Sequence, residues 1–227
     1  MDILALTRLL QLASPALPVG AYTYSQGLEW AVESGRIGDE ASAGQWITDL
    51  LQHGIGRFEA PLLASLMATW AKADASEIAR LNADFLASRE SAELRAETVQ
   101  MGFSLNRLLK DLRDPSLDAV QATLATQPEI AFPTAWSGIA TAWSIAPAAA
   151  TAAYLWSWAE NQVMAALKAV PLGQAAGQRL LAELGLQIPV VAENAQSLPE
   201  EAWSNFAPAF AICSARHETQ YSRLFRS

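Results

Sequence analysis

The sequence predicts an all-α fold, a globular bundle of roughly ten helices with irregular segments at both ends. Three observations predict it. Apolar residues recur at three- and four-residue spacing through most of the 227 residues, as amphipathic helices require. Neither sustained two-residue alternation nor an Asn-Gly turn occurs, so no strand is predicted. Prolines fall between the periodic segments, where they open or end helices. No Gly/Ser or charged linker divides the chain and no repeat period stands out. A single domain over 1–227 is therefore expected.

The elements follow in order. Ile3, Leu6, Leu9, Leu10 and Leu12 form the first helical stripe, which ends at Ser14-Pro15. In the loop after it, Pro18 fixes φ and Gly20 can take φ > 0. Tyr22, Tyr24, Ser25 and Gln26 then precede Gly27-Leu28-Glu29, which open a second helix stopped at Ser34-Gly35. Asp39 can cap the next helix, with Trp46, Ile47, Leu50 and Leu51 on one face and Gly54 and Gly56 loosening its end. Pro61 sits near the beginning of a helix carrying Leu62, Leu63, Leu66, Met67 and Trp70. Asp74 to Glu77 resembles a capping box, and its helix runs to about Leu86. Ser91 to Leu112 is the clearest long helix, with Leu94, Val99, Met101, Leu105, Leu108 and Leu109 apolar. Asp114-Pro115-Ser116 ends it, and Ser116 can cap a short following helix. Pro128 and Pro133 introduce a pair of uncharged helices that breaks at Pro147, and Pro171 interrupts the second of the pair. Pro189, Pro199 and Pro208 punctuate the remainder.

Composition narrows the function. Apolar residues make up 52% and charged residues 17%, enough for a sizeable core and too apolar for disorder. A formal charge of −8 argues against nucleic acid, whose binders need a basic face. The one cysteine, Cys213, excludes an internal disulfide framework, and a cytoplasmic location is the natural reading. The first residues look like a signal peptide, but Asp2 has the wrong charge and Arg8 cuts the apolar run. From Ile130 to Ala159 there is no Asp, Glu, Lys or Arg, longer than the ~20 residues of a membrane span. That stretch is mostly Ala, Thr, Ser and Trp with Pro133 and Pro147 inside it. Two helices buried in a soluble core fit it better.

Catalytic patterns are missing. There is no phosphate-binding Gly-x-x-x-x-Gly-Lys-Ser/Thr, no Gly-x-Gly-x-x-Gly and no Gly-x-Ser-x-Gly. Glu59, Glu93, Glu97 and Glu160 sit at spacings typical of solvated helix faces. No enzyme activity is expected. Cys213 and His217 lie four apart on one helix face, with Glu218 adjacent. Thiolate and imidazole suit nickel or zinc, but a stable site takes three or four ligands. A buried thiol and a hydrogen-bonded histidine are the preferred reading, and both residues stay weak metal candidates. Gly173 and Gly177 read as tight intramolecular packing. Lys168, Gln174 and Gln178 surround the helix break at Pro171 and form an adaptable polar surface, or else an ordinary interhelical turn.

The last segment differs. Ser214 to Ser227 holds Arg216, Arg223 and Arg226 against Glu218 alone, with Tyr221, Leu224 and Phe225 interleaved. Arg and aromatic residues dominate interface hot spots. Such a tail is either tucked onto the body or ordered by a partner.

Four stretches carry a resemblance. Ser14-Pro15-x-Leu17-Pro18-Val19-Gly20-Ala21-Tyr22, continuing to Tyr24-Ser25-Gln26-Gly27-Leu28-Glu29, is similar to the N-terminal signature of the UreF family of urease accessory proteins. Gln100-Met101-Gly102-x-Ser104-Leu105, Pro171-Leu172-Gly173-Gln174-x-x-Gly177-Gln178 and the terminal His217 to Ser227 resemble the same family, in the same order. Thr23, Ser222 and Trp136 depart from its pattern. The resemblance implies a non-catalytic maturation factor that helps load nickel into urease apoprotein. It implies a UreD/UreH-type scaffold and a UreG-type GTPase as partners, and a homodimer. On that reading residues 1–27 and 214–227 are docking segments. Tyr22, Tyr24, Gln26, Arg223, Leu224 and Phe225 are the expected scaffold contacts, and Lys168, Gln174 and Gln178 face the GTPase or the dimer partner. The alternative is a GTPase-activating regulator that supplies Arg223 or Arg226 in trans. A third reading, a ligand pocket in the Trp-rich segment, has no specific motif behind it.

Overall fold

A computed structural model describes residues 2–227, and those residues form eleven α-helices joined by short turns, with no strand among them. Local chemistry explains most boundaries. Asp2 accepts from the Ala5 amide at 2.7 Å and caps α1 (Ile3–Leu12). Gly35, at φ 75°, takes the left-handed position after α2 (Leu28–Glu33). Asp39 and Ser42 form a reciprocal capping box that starts α3 (Glu40–Asp49). Asp74 caps α5 (Ala75–Ala87), which follows α4 (Glu59–Ala71). Ser91 caps α6 (Ala92–Leu112).

Several details differ from expectation. The first stripe divides, because Ala5, Leu9 and Leu12 turn inward while Ile3, Leu6 and Leu10 are exposed. Beyond α3, Gly54 falls within a π-helical turn over Leu50–Ile55, rather than a frayed end. Asp114, not Ser116, caps the turn Pro115–Leu117 that leads into α7 (Asp118–Leu124). Pro189 does not break the chain: α10 (Gln174–Ala195) continues through it. Pro189 itself is exposed, so the missing amide lies on the solvent side of the helix, where water can satisfy the released carbonyl.

The uncharged pair forms the middle of the molecule. Pro133 and Pro147 stand in the first turns of α8 (Phe132–Ala142) and α9 (Pro147–Ala169), where a proline costs no hydrogen bond. Residues Pro133 to Ala140 are buried without interruption, and α8 packs against α4 and α6. Two glycines permit that closeness. A Cβ on Gly138 would meet the Trp70 ring at 2.9 Å, and one on Gly102 would meet the Ile130 carbonyl oxygen at 2.0 Å. α9 and α10 pack along each other, and a Cβ on Gly177 would strike Leu167 at 2.8 Å. Gly173 is open on the same test, so only one of the two glycines serves packing. No helix among the described residues is long and apolar enough to cross a membrane. The last helix, α11 (Pro208–His217), returns the chain to α2 and α6.

Candidate partner-docking site

The N-terminal loop and the C-terminal tail meet each other. Gly20 (φ 80°) turns the chain into a 3₁₀ turn over Ala21–Thr23, and Gln26 (φ 55°) and Gly27 (φ 79°) turn it again into α2. A left-handed glutamine is held there by its side chain. Gln26 Nε2 donates to Glu97 Oε1 at 2.7 Å, and Gln26 Oε1 accepts from Trp158 Nε1 at 2.8 Å. At Gly27 the loop presses on α11, and an added Cβ would lie 2.7 Å from the Ser214 amide nitrogen. Asn161 of α9 donates to the Tyr24 carbonyl at 2.9 Å.

The tail completes this joint. The Ser227 carbonyl oxygen accepts from the Ser25 amide and hydroxyl, both at 2.6 Å, and from the Gln26 amide at 3.0 Å. The Arg226 amide donates to the Thr23 carbonyl at 2.8 Å. Glu29 of α2 accepts from the Leu224 and Phe225 amides at 2.6 and 3.0 Å. Phe225 is buried beneath Lys168, whose Nζ lies 5.4 Å from the ring centroid. Burying that ring contributes about 2 kcal/mol. The tail is thus folded onto the body.

His217 is the last residue of α11, where the tail begins. It is fully buried, with Nδ1 2.6 Å from Glu93 and Nε2 3.2 Å from Glu29. Glu93 also accepts from Arg223 at 2.7 Å. Glu218 accepts from the first amide of α6, Ala92, at 2.7 Å. Both His217 ring nitrogens therefore face carboxylates. Cys213, four residues earlier, is buried, and burial raises its thiol pKa. Among the described residues no group of three or more His, Cys, Asp or Glu is placed to hold a metal ion.

Glu97 is buried on α6 and accepts from Ser227 Oγ at 2.7 Å as well as from Gln26. Burial pushes its pKa up to about 7, against the opposing effect of those two hydrogen bonds. Burial, then the nearby Glu97, raises the Tyr24 hydroxyl as well. Beside this group is a cavity of about 270 Å³ under the N-terminal loop, lined among others by Leu17, Met101, Phe132 and Trp136. Of its charged walls, Glu59 accepts from Tyr154 and pairs with Arg89, while burial alone raises the pKa of Glu160.

The expected contact residues thus divide. Tyr24 and Phe225 are interior, and Gln26 is committed to Glu97 and Trp158. Tyr22 (65% exposed) and Leu224 (70% exposed) face outward, with Arg223 beside them and Arg226 exposed without an ion pair. Lys168 belongs to the tail joint, whereas Gln174 and Gln178 lie exposed in the first turns of α10. Sequence reasoning missed Glu29 and took Glu93 and Glu97 for solvated positions. For Glu97 a signal existed, since it falls between Leu94 and Met101 at helical spacing, inside the apolar stripe of α6.

The UreF family model matches residues 37–185. The chain is 74% identical over 224 residues to the urease accessory protein UreF of Dechloromonas aromatica (strain RCB), covering 99% of this chain and 98% of that protein. It is 64% identical over 226 residues to the urease accessory protein UreF of Azoarcus sp. (strain BH72), covering 99% and 97%. The protein of the same name from Methylobacillus flagellatus is 51% identical over 223 residues, covering 98% of each chain.

Proposed function

The chain belongs to the UreF family of urease accessory proteins, and we propose that it serves urease maturation as a non-catalytic adaptor built as one helical domain. It joins a UreD/UreH-type scaffold and a UreG-type GTPase on urease apoprotein, so that GTP hydrolysis and nickel insertion occur in the assembly. It does so in the cytoplasm and as a homodimer.

One observation carries this reading. Loop and tail are locked to each other by Glu29, Glu97 and His217, yet they present Tyr22, Leu224, Arg223 and Arg226 outward. A rigid frame displaying aromatic, aliphatic and arginine side chains suits a preorganised protein contact. In this reading Tyr24, Gln26 and Phe225 hold the frame from inside, and the outward residues touch the scaffold. Gln174 and Gln178 on α10 serve the GTPase. The test is reconstitution: apoprotein, nickel, GTP, scaffold and GTPase should yield active urease with this chain and not without it. Activation unchanged by its omission would end the adaptor reading.

A second reading has one observation in its favour. Arg226 is exposed and pairs with no carboxylate among the described residues, its side chain meeting only the Tyr24 hydroxyl, which leaves it free to act on a GTPase in trans. Arg223, in contrast, is held by Glu93. Measuring GTP turnover and assembly with Arg226→Ala and Arg223→Ala separates the two. A collapse of turnover with intact assembly supports the regulator, and loss of assembly supports the adaptor.

A further inference from the structure

Nothing in the docking surface accounts for the cavity under the N-terminal loop. Protein interiors seldom leave voids larger than a water molecule, and this one holds about 270 Å³. A cavity of ~150 Å³ takes benzene, so the space suits a body of about ten non-hydrogen atoms. Its deep wall is aromatic. Tyr154 stacks on Phe132 with ring centroids 5.7 Å apart and meets Trp136 edge-on at 5.3 Å. Leu17 lines it from the loop and Met101 from α6.

The polar groups around this space are nearly all engaged by the fold. Tyr154 donates to Glu59, which pairs with Arg89. Trp158 donates to Gln26, and Gln26 donates to Glu97. Asn161 donates to the Tyr24 carbonyl, and Ser157 lies within hydrogen-bond distance of the Ala13 and Ala153 carbonyls. Glu160 of α9 is the exception. It lines the cavity half-buried, with no hydrogen bond or ion pair among the described residues. Burial raises its pKa, the penalty on a carboxylate charge that has no counter-ion. Lys168, about two turns further along α9, does not supply one, because its ammonium lies over the Phe225 ring. Met164 stands one turn after Glu160 and, like Tyr22, is exposed while lining the cavity. The mouth therefore opens beside that carboxylate.

These walls define the ligand. A neutral molecule would leave Glu160 desolvated without a counter-charge, and an anion would add repulsion. A cation pairs with the carboxylate, and its apolar part covers the rings. We infer that this cavity binds a small organic cation, a primary amine with an apolar body, whose ammonium meets Glu160 while the body lies against Phe132, Trp136 and Tyr154. The site is formed by this chain alone and does not depend on the adaptor reading.

The test is calorimetric titration of the purified full chain at neutral pH with phenethylammonium, its neutral isostere phenethyl alcohol, and methylammonium, which lacks the body. Phenethylammonium should bind with a Kd of about 1 mM or tighter. Phenethyl alcohol should bind about fivefold more weakly, the worth of a partly exposed ion pair, and methylammonium not at all. Glu160→Gln should erase the preference for the cation while keeping the binding of the alcohol, a result that misfolding cannot produce. Leu17→Trp, which fills the cavity from the loop, should abolish binding of both with unchanged helical circular dichroism. Failure of the folded wild type to bind phenethylammonium would overturn the proposal. So would equal affinity for cation and alcohol, a Glu160→Gln chain that keeps the preference, or binding untouched by Leu17→Trp.

Discussion

Ser227 donates its hydroxyl proton to Glu97 at 2.7 Å, joining residues 130 positions apart inside the protein. The carboxylate that receives it is buried and titrates near neutrality, at about 7 against an ordinary 4.5. Stability should carry that signature. Between pH 4.5 and 7 the folded chain holds a proton on Glu97 that the unfolded chain has lost. Folding therefore weakens as pH rises through this window. Glu97→Gln removes the titration. The stability difference between wild type and variant should change by a few kcal/mol across that range, favouring the variant at higher pH. Denaturant titrations at several pH values check it, and a difference independent of pH would contradict it.

Glu29 anchors the tail through three groups: the Leu224 amide, the Phe225 amide and His217 Nε2. Glu29→Ala leaves them without partners in a buried place, a loss of about 3 kcal/mol. Much of it should appear as local release of the tail. Tryptic cleavage after Arg223 and Arg226 should accelerate in the variant, and mass spectrometry of a digestion time course reads it directly. Unchanged cleavage would mean that Phe225 alone suffices to hold the tail.

Two glycines with the same backbone angle should respond differently. Gly20 and Gly27 sit at φ 80° and 79°, but a Cβ at Gly20 meets nothing within 4 Å while one at Gly27 meets backbone of Ser214 and Cys213. Gly20→Ala should cost only the left-handed conformation, about 1 kcal/mol. Gly27→Ala adds the clash and should cost about 3 kcal/mol. Chemical denaturation of the two variants gives the comparison. Equal losses would show that α11 is free to move away from the loop.

What the sequence revealed depended on periodicity. The uncharged stretch around Pro147 was legible as two buried helices because its composition left no other face to solvate. Capping by Asp39 and Asp74 was legible because it is local. The joint between loop and tail was legible only as two unusual segments, since nothing local pairs Ser25 with Ser227 or Glu29 with Phe225. Charged residues misled most. Glu93 and Glu97 keep helical spacing whether they face water or a tail that arrives 130 positions later. Pro189 misled in the other direction, because a proline on a solvent-facing side interrupts hydrogen bonding without ending the helix.

In the function proposed above, the locked joint of loop and tail displays the surface that docks to the scaffold. The most direct measurement is co-elution of the full chain with a purified UreD/UreH-type scaffold, repeated with Tyr22→Ser/Leu224→Asp. Both side chains are exposed, so the double variant should keep its fold and its melting temperature. One complex of wild type and scaffold is expected, and separate peaks for the variant. Co-elution undiminished by the double substitution, or no complex between the two folded wild-type proteins, would contradict it.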